Sequence, residues 1–475
     1  MDVKIKTLDG STTTIPDEKL EELRMLVFRG PLLAAGDDGY DEARVIQNAH
    51  FDRKPGLIIR CSGTADVIDA VNLAREHNLL TAVRSGGHSV AGHSVTDGGL
   101  MIDLSPMNGV WVDADARIVR TQGGATWGDV DRETQAFGLA APGGIVSTTG
   151  VAGLTLGGGI GWAHRKWGLA CDKLRAVEIV TADGQLRRAS ATENEELFWA
   201  LRGGGGNFGV AVSFEFDLEP LGPMVYAAAP IYGVDAADDL FRSWKEWTDN
   251  VGDEVTSRAV FWSMPEDEHL PPEVHNQQVL ILGALYVGDP GEGEKVLQPL
   301  REFGTPLADL SSQMPYRAFQ AAFDPFFPKG IVHSYWKSTY LSELGDDARG
   351  MIVKQAGSRL SQYTLMHVPL MGGATSRVGA TETAFGDRSA PYMLSIDGNW
   401  LEPGEAKPEI AWVREAIGAF EPHSSGAYLN FSSDEAGEGE VVSSAFGANL
   451  KRLQEVKKEF DPQNLFRLNS NITPG

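Results

Sequence analysis

Residues 84–94 read RSGGHSVAGHS and follow directly on the apolar run LLTAV. Successive backbone N–H groups in a glycine-rich turn form a concave anion site. Arg84, Ser85, Ser89 and Ser94 add side-chain donors, so the stretch suits a diphosphate. Two other readings stay open from these residues alone. One is a solvent loop whose glycines serve tight turning. The other is a metal held by His88 and His93, although no carboxylate or cysteine cluster accompanies them. A second glycine cluster, GGGNFG at 204–209, formally satisfies the dinucleotide pattern G-x-G-x-x-G. Its context is wrong: the preceding ELFWALR reads as a helix and the following VAVSFEF as a strand, the reverse of the dinucleotide fold. Neither cluster supplies the lysine of an ATPase-type phosphate loop.

The elements around the first loop read clearly. GLIIRC (56–61) has the length and composition of a strand. Ser62 and Thr64 then stand as caps before Val67, Ala70, Val71 and Ala74 at helical spacing. LLTAVR (79–84) returns as a strand, giving a strand-helix-strand unit that delivers the loop at its end. GLMIDL (99–104) and RIVRTQ (117–122) read as further strands, and a helix opens at Thr126 and closes at Gly138. AVEIVTADG (176–184) and VAVSFEFDLEP (210–220) continue the strand signals. Pro and Gly cluster at 218–225, which predicts a boundary near Gly222. Beyond it, amphipathic helices such as DLFRSWKEW alternate with strands such as QVLILGALYV until about residue 420.

The bulk properties exclude several functions. With 41 Lys and Arg against 65 Asp and Glu, the formal net charge is −24. A field of that sign repels phosphate backbones and anionic lipid, so nucleic acid and membrane surfaces are not expected partners. No run approaches the ~18 apolar residues of a membrane span, and the N-terminus lacks a secretory signal. Two cysteines, Cys61 and Cys171, fit a reducing, cytoplasmic setting and leave no cysteine-based zinc site. No metal is expected.

Taken together, RSGGHSVAGHS, GGIVSTTGVAGLTLGGGIG with RKWGLACDKL, RGGGGNFGV, AYLN and FDPQNLFRLNSNI resemble, in order and over nearly the whole chain, the berberine-bridge-enzyme-like branch of the vanillyl-alcohol-oxidase flavoproteins. The first half is most similar to bacterial 6-hydroxynicotine oxidases. The resemblance implies an α+β fold: a PCMH-type FAD-binding domain of two α+β subdomains, plus a substrate domain with an antiparallel sheet covered by helices. The implied boundaries are 1–221 for the FAD domain, 222–420 for the substrate domain, and 421–475 for a segment returning to the first.

The same resemblance implies the cofactor and its contacts. FAD is expected, with His88 in the position that bonds covalently to the flavin. Arg84, Ser85, Gly86, Gly87, Ser89, Gly92, His93, Ser94, Gly123, Thr148, Thr149, Gly150, Gly153, Gly158, Gly161, Val177 and Asn430 are the other implied cofactor contacts. Val146 stands where many relatives carry a second, cysteinyl link, so attachment through His88 alone is expected, with Cys171 a buried core thiol. Thr149 occupies a position associated with dioxygen access. Tyr428 and Asn430, two apart on a presumed strand and so on one face, are implied beside the flavin, the tyrosine as base or substrate anchor and the asparagine as its hydrogen-bonding partner. A phenol near its ordinary ~10 is a poor base at neutral pH, so a neighbouring cation is required, and Lys337 is the candidate. The alternative for Tyr428 is a core tyrosine with a satisfied hydroxyl. The aromatics Tyr335, Trp336, Trp400 and FDPFF (323–327) read as core or as pocket. The implied reaction is hydride transfer from an alcohol or amine carbon to FAD, with dioxygen as acceptor and hydrogen peroxide as product. The alternatives are a dehydrogenase with another acceptor and a flavoprotein that binds a small molecule without turnover.

Overall fold

The computed structural model of the protein describes residues 2–268, 270–433 and 439–475. The expected strand-helix-strand unit is present: strand Leu57–Arg60, helix Thr64–Glu76 and strand Thr81–Arg84. The helix buries Val67, Ala70, Val71 and Ala74, the face their spacing marks. Strand Leu100–Asp103 lies between the two and runs parallel to both. The loop after Arg84 therefore leaves from the carboxyl end of a parallel sheet, with Leu57, Ile59 and Ile102 buried behind it.

A second, antiparallel sheet has the strand order Leu186–Ser190, Leu174–Val180, Val210–Asp217, Ile118–Gln122 and Val110–Asp113. Its companion helix, Trp127–Thr134, starts at Thr126 through a capping box with Asp129. Gly138, in the left-handed region, ends the short 3-10 turn that follows. Trp127, Phe214, Phe216 and Val177 share this core with Leu453 and Val456 of helix Leu450–Phe460, so the end of the chain packs with its first half. A buried ion pair fastens it: Lys457 Nζ lies 2.6 Å from Asp461 and also donates to the carbonyls of Asn207 and Phe466. The FDPQNLF motif is thus a clamp holding residues 203–209 against the C-terminal segment.

The third sheet has nine strands. Its main path runs Ala308–Asp309, Pro230–Gly233, Gln278–Tyr286, Val255–Ser263, Leu365–Pro369, Tyr392–Trp400, His333–Leu341, with antiparallel neighbours throughout. Helices Ala237–Thr248, Asp346–Gly357 and Ala406–Gly418 cover one face, burying Phe241, Trp244, Ile352 and Val413 against Phe261, Met366 and Ile396. Side chains alternate across a strand. Residues of the other parity, Arg258, His367, Asp397 and Trp336, turn to the opposite face, where they line a cavity.

Candidate active site

That cavity, about 430 Å³, extends from the loop after Arg84, past residues 145–157 and 203–206, to the open face of the large sheet. Ser85, Gly86, Gly87, His88, Ser89, His93 and Ser94 line one end. Gly87 makes the turn at φ +75, in the left-handed region. Gly86 passes so close to Gly150 that a Cβ on it would meet the Gly150 nitrogen at 2.4 Å. Asn48, a residue the sequence reading passed over, fixes the loop to the large sheet: its side chain donates to the carbonyls of Val90 and Ser334 and accepts from the Ser334 amide, at 2.8–2.9 Å.

The wall meets the demands of the implied FAD. Ser85 Oγ and Asn469 Oδ1 are buried beside the cavity with no hydrogen-bond partner among the described residues, and buried polar atoms require partners. Gly153 and Gly206 have nothing within 4 Å of where a Cβ would stand, so they present bare backbone to the space. Thr148, Thr149, Gly150 and Gly153 lie on the wall as expected, and so does Val146. The His88 ring is half-buried on the cavity wall, and desolvation there together with the charge of Lys329 pushes its pKa down to about 4. It is therefore a neutral imidazole carrying a free lone pair.

Tyr428 and Asn430 sit deeper along the same wall. They are not on a strand: Tyr428 is extended and Leu429–Phe431 forms a 3-10 turn. The turn still brings the two side chains together, Asn430 Nδ2 donating to Tyr428 Oη at 2.9 Å. The amides of Gly159 and Ile160 donate to the same oxygen at 3.2 Å. Three donors converge on a phenol oxygen that has only two lone pairs when neutral, an arrangement matched to phenolate. Burial opposes them and dominates, pushing the Tyr428 hydroxyl up to about 12.

Several sequence assignments are corrected by the geometry. Lys337 shares the strand face of Tyr335, with Nζ 5.6 Å from that ring, and pairs in register with Ile396 on the helix-covered side. Strand parity thus points it away from Tyr428. Arg84 points behind the loop, where it donates to the Ala43 carbonyl and approaches Asp103 at 3.9 Å. Gly92 turns against the Phe51 ring. Gly123 lies against the Ala211 carbonyl, Gly158 against Phe385 and Gly161 against the Gly143 carbonyl, each at contacts no side chain would allow. Val177 is fully buried in the core of the five-stranded sheet. These six support the wall from behind instead of forming it. Cys171 is buried outside the cavity, its thiol held well above the usual range by burial. Trp336 is on the wall, while Trp400 and Tyr335 are core.

Glycines 203–206 join the wall although no dinucleotide fold surrounds them. As expected, helix Glu195–Leu201 precedes and strand Val210–Asp217 follows. At the far end stand Arg258, His367 and Asp397, with His367 Nε2 3.4 Å from Asp397. Nothing local in the sequence marks them, because register between distant strands brings them together.

Comparison with known proteins agrees with this geometry. The FAD binding domain family matches residues 55–190, and the berberine and berberine-like family matches residues 427–473. The chain is 31% identical over 459 residues to an FAD-linked oxidoreductase of Bacillus subtilis, covering 94% of this chain and 97% of that one. It is 28% identical to (R)-6-hydroxynicotine oxidase of Paenarthrobacter nicotinovorans, covering 94% and 98%. The crystal structure of 6-hydroxy-D-nicotine oxidase from Arthrobacter nicotinovorans superposes with a TM-score of 0.84 at 27% identity, covering 94% and 98%. Chain, fold and cavity thus agree, and the protein is an enzyme that belongs to the berberine-bridge-enzyme-like family of FAD-linked oxidoreductases and oxidases.

Proposed function

We propose that this enzyme holds FAD through a single covalent bond to His88 and oxidises an alcohol or amine carbon of a small molecule, with dioxygen as the final acceptor. The observation that carries the reading is one continuous cavity lined by both a neutral His88 and a Tyr428 whose buried oxygen accepts from three N–H groups. When bound, FAD supplies the two-electron acceptor and passes the electrons to dioxygen, giving hydrogen peroxide.

The chain's own residues supply the rest. As phenolate, Tyr428 accepts the proton of the substrate hydroxyl and becomes a neutral phenol, and the Gly159, Ile160 and Asn430 N–H groups stabilise the phenolate from which that transfer starts. Asn430 Nδ2 also donates to the Leu154 carbonyl at 3.1 Å, which fixes which end of the amide faces the phenol. Val146 offers no second attachment, and Thr149, valine-like in shape, leaves space open on the wall. Cys61 and Cys171 are free thiols, which supports a reducing, cytoplasmic setting. No helix of the described residues is long and apolar enough to cross a membrane.

The test is anaerobic addition of alcohols, sugars and cyclic amines to the flavoprotein. At least one should bleach the flavin absorbance, and air should restore it with release of hydrogen peroxide. Bleaching reversed by a quinone and not by air would make the enzyme a dehydrogenase. A panel that leaves the flavin oxidised throughout would make the protein a binder.

A further inference from the structure

We propose that Arg258 recognises a carboxylate on the substrate, so that the molecule oxidised is an acid carrying its reactive alcohol or amine elsewhere. The proposal deepens the reading above and rests on it for the reaction, not for the binding. Arg258 projects from strand Val255–Ser263 onto the open face of the large sheet and lines the cavity. It is buried, and its Nε is sealed from solvent without a hydrogen-bond partner. Neither a hydrogen bond nor an ion pair joins its guanidinium to another described residue.

Other buried arginines in this protein are treated differently. Arg388 grips Asp172 with two bonds of 2.7 and 2.9 Å. Arg165 is capped by the Val255 and Met371 carbonyls, and Arg359 donates to the Ala356 carbonyl at 2.8 Å. A buried cation left without such partners costs stability, and an arginine of that kind on a cavity wall has the character of a binding residue. Asp397 acts on it through space but makes no bond to it: its close contacts are with His367 and the Ser395 hydroxyl.

The shape of the site selects the ligand. Trp162 stacks on the guanidinium with 4.1 Å between the central carbon and the ring centroid, so one face is covered and the in-plane edge remains. That edge presents two parallel N–H groups, which match the two oxygens of a carboxylate. One positive charge, with Asp397 close by and a chain of net charge −24 around it, favours a monoanion over a phosphate dianion. Trp162, with Trp336 and Phe431 on the wall of the same cavity, gives the remainder of an aromatic or cyclic acid an apolar bed.

The experiment measures ligand binding to the FAD-loaded enzyme by calorimetry and by thermal shift, with benzoate, benzyl alcohol and phenyl phosphate as probes. Benzoate should bind at least tenfold more tightly than either of the others. Arg258→Met should weaken benzoate roughly 10²-fold while leaving benzyl alcohol and the flavin content unchanged. Arg258→Lys, which keeps the charge and loses the fork, should weaken it about tenfold and carries the test if the methionine variant does not fold. Benzoate that binds no better than benzyl alcohol, or equally well to either variant, overturns the proposal, and tighter binding of phenyl phosphate overturns the choice of carboxylate. Since binding is read without turnover, benzoate held through Arg258 by a protein that no donor reduces would refute the oxidation and leave the acid site standing.

Discussion

Replacing Asn430 by leucine, close to it in shape, removes one of the three donors on Tyr428 Oη and leaves the Gly159 and Ile160 amides in place. Burial sets the starting point: with the phenol pushed up to about 12, only about one molecule in 10⁴ carries phenolate at about pH 8. If proton transfer to Tyr428 limits oxidation of an alcohol, the anaerobic rate of flavin reduction rises about tenfold per pH unit and shows no plateau below about pH 10. A hydrogen bond to a charged oxygen contributes about 1.5–3 kcal/mol. At about 1.4 kcal/mol per pKa unit its loss raises the phenol by roughly one to two units. Asn430→Leu should therefore slow reduction about 10- to 100-fold at a given pH, with the slope against pH preserved. Tyr428→Phe removes the base and should cost ~10²- to 10⁴-fold. Lys337→Met should leave the profile alone, because that side chain faces the helix-covered side of its sheet. The assay is stopped-flow flavin reduction across pH with one alcohol substrate. A pH-independent rate, or an Asn430→Leu enzyme as fast as the parent, would refute the phenolate reasoning.

Asp131 gives a stability prediction of definite sign. It is fully buried, accepts from Gln320 Nε2 at 3.2 Å, and burial pushes its carboxyl up to about 7. Between its ordinary value of 3.8 and about 7 the folded form holds a proton that the unfolded chain has released, so stability falls as pH rises through that window, by at most roughly 4 kcal/mol. Asp131→Asn should flatten that dependence and raise the Tm at about pH 8, checked by thermal unfolding from about pH 5 to pH 8; an equal pH dependence in the variant would count against it. Thr149 lies on the cavity wall, and Thr149→Leu, with its longer reach, should slow reoxidation of the reduced enzyme by air at least tenfold in stopped flow, whereas an unchanged rate would remove this residue from the oxygen path.

What the sequence discloses depends on how local the signal is. The unit at 57–84 is legible because one short apolar run and one helical stripe sit within a few residues of each other, although the expected caps Ser62 and Thr64 do not cap the helix: Gly63 stands at the N-cap and Ser62 bonds Asp66 instead. The loop it delivers is legible for the same reason, and so is the misfit of GGGNFG to a dinucleotide fold. Side-chain direction is a different matter. Arg84 is adjacent to the loop yet turned behind it by Asp103 and the Ala43 carbonyl, and Lys337 is one residue out of phase with the cavity face. Asn48, Arg258, His367 and Asp397 depend on pairings between strands far apart in the chain, which no local pattern encodes. Tyr428 and Asn430 show the converse: the expected strand is a turn, but the spacing of two still places their polar atoms in contact.

The proposed function depends on the glycine-rich loop being the place where the flavin is anchored. Peptide mapping by mass spectrometry of the acid-denatured holoenzyme tests that directly, together with His88→Ala and Cys171→Ala. The prediction is a single flavin-bearing peptide that contains His88, retained in Cys171→Ala and absent from His88→Ala, whose flavin passes into the supernatant. Flavin released from the parent protein, or found on Cys171, would contradict it.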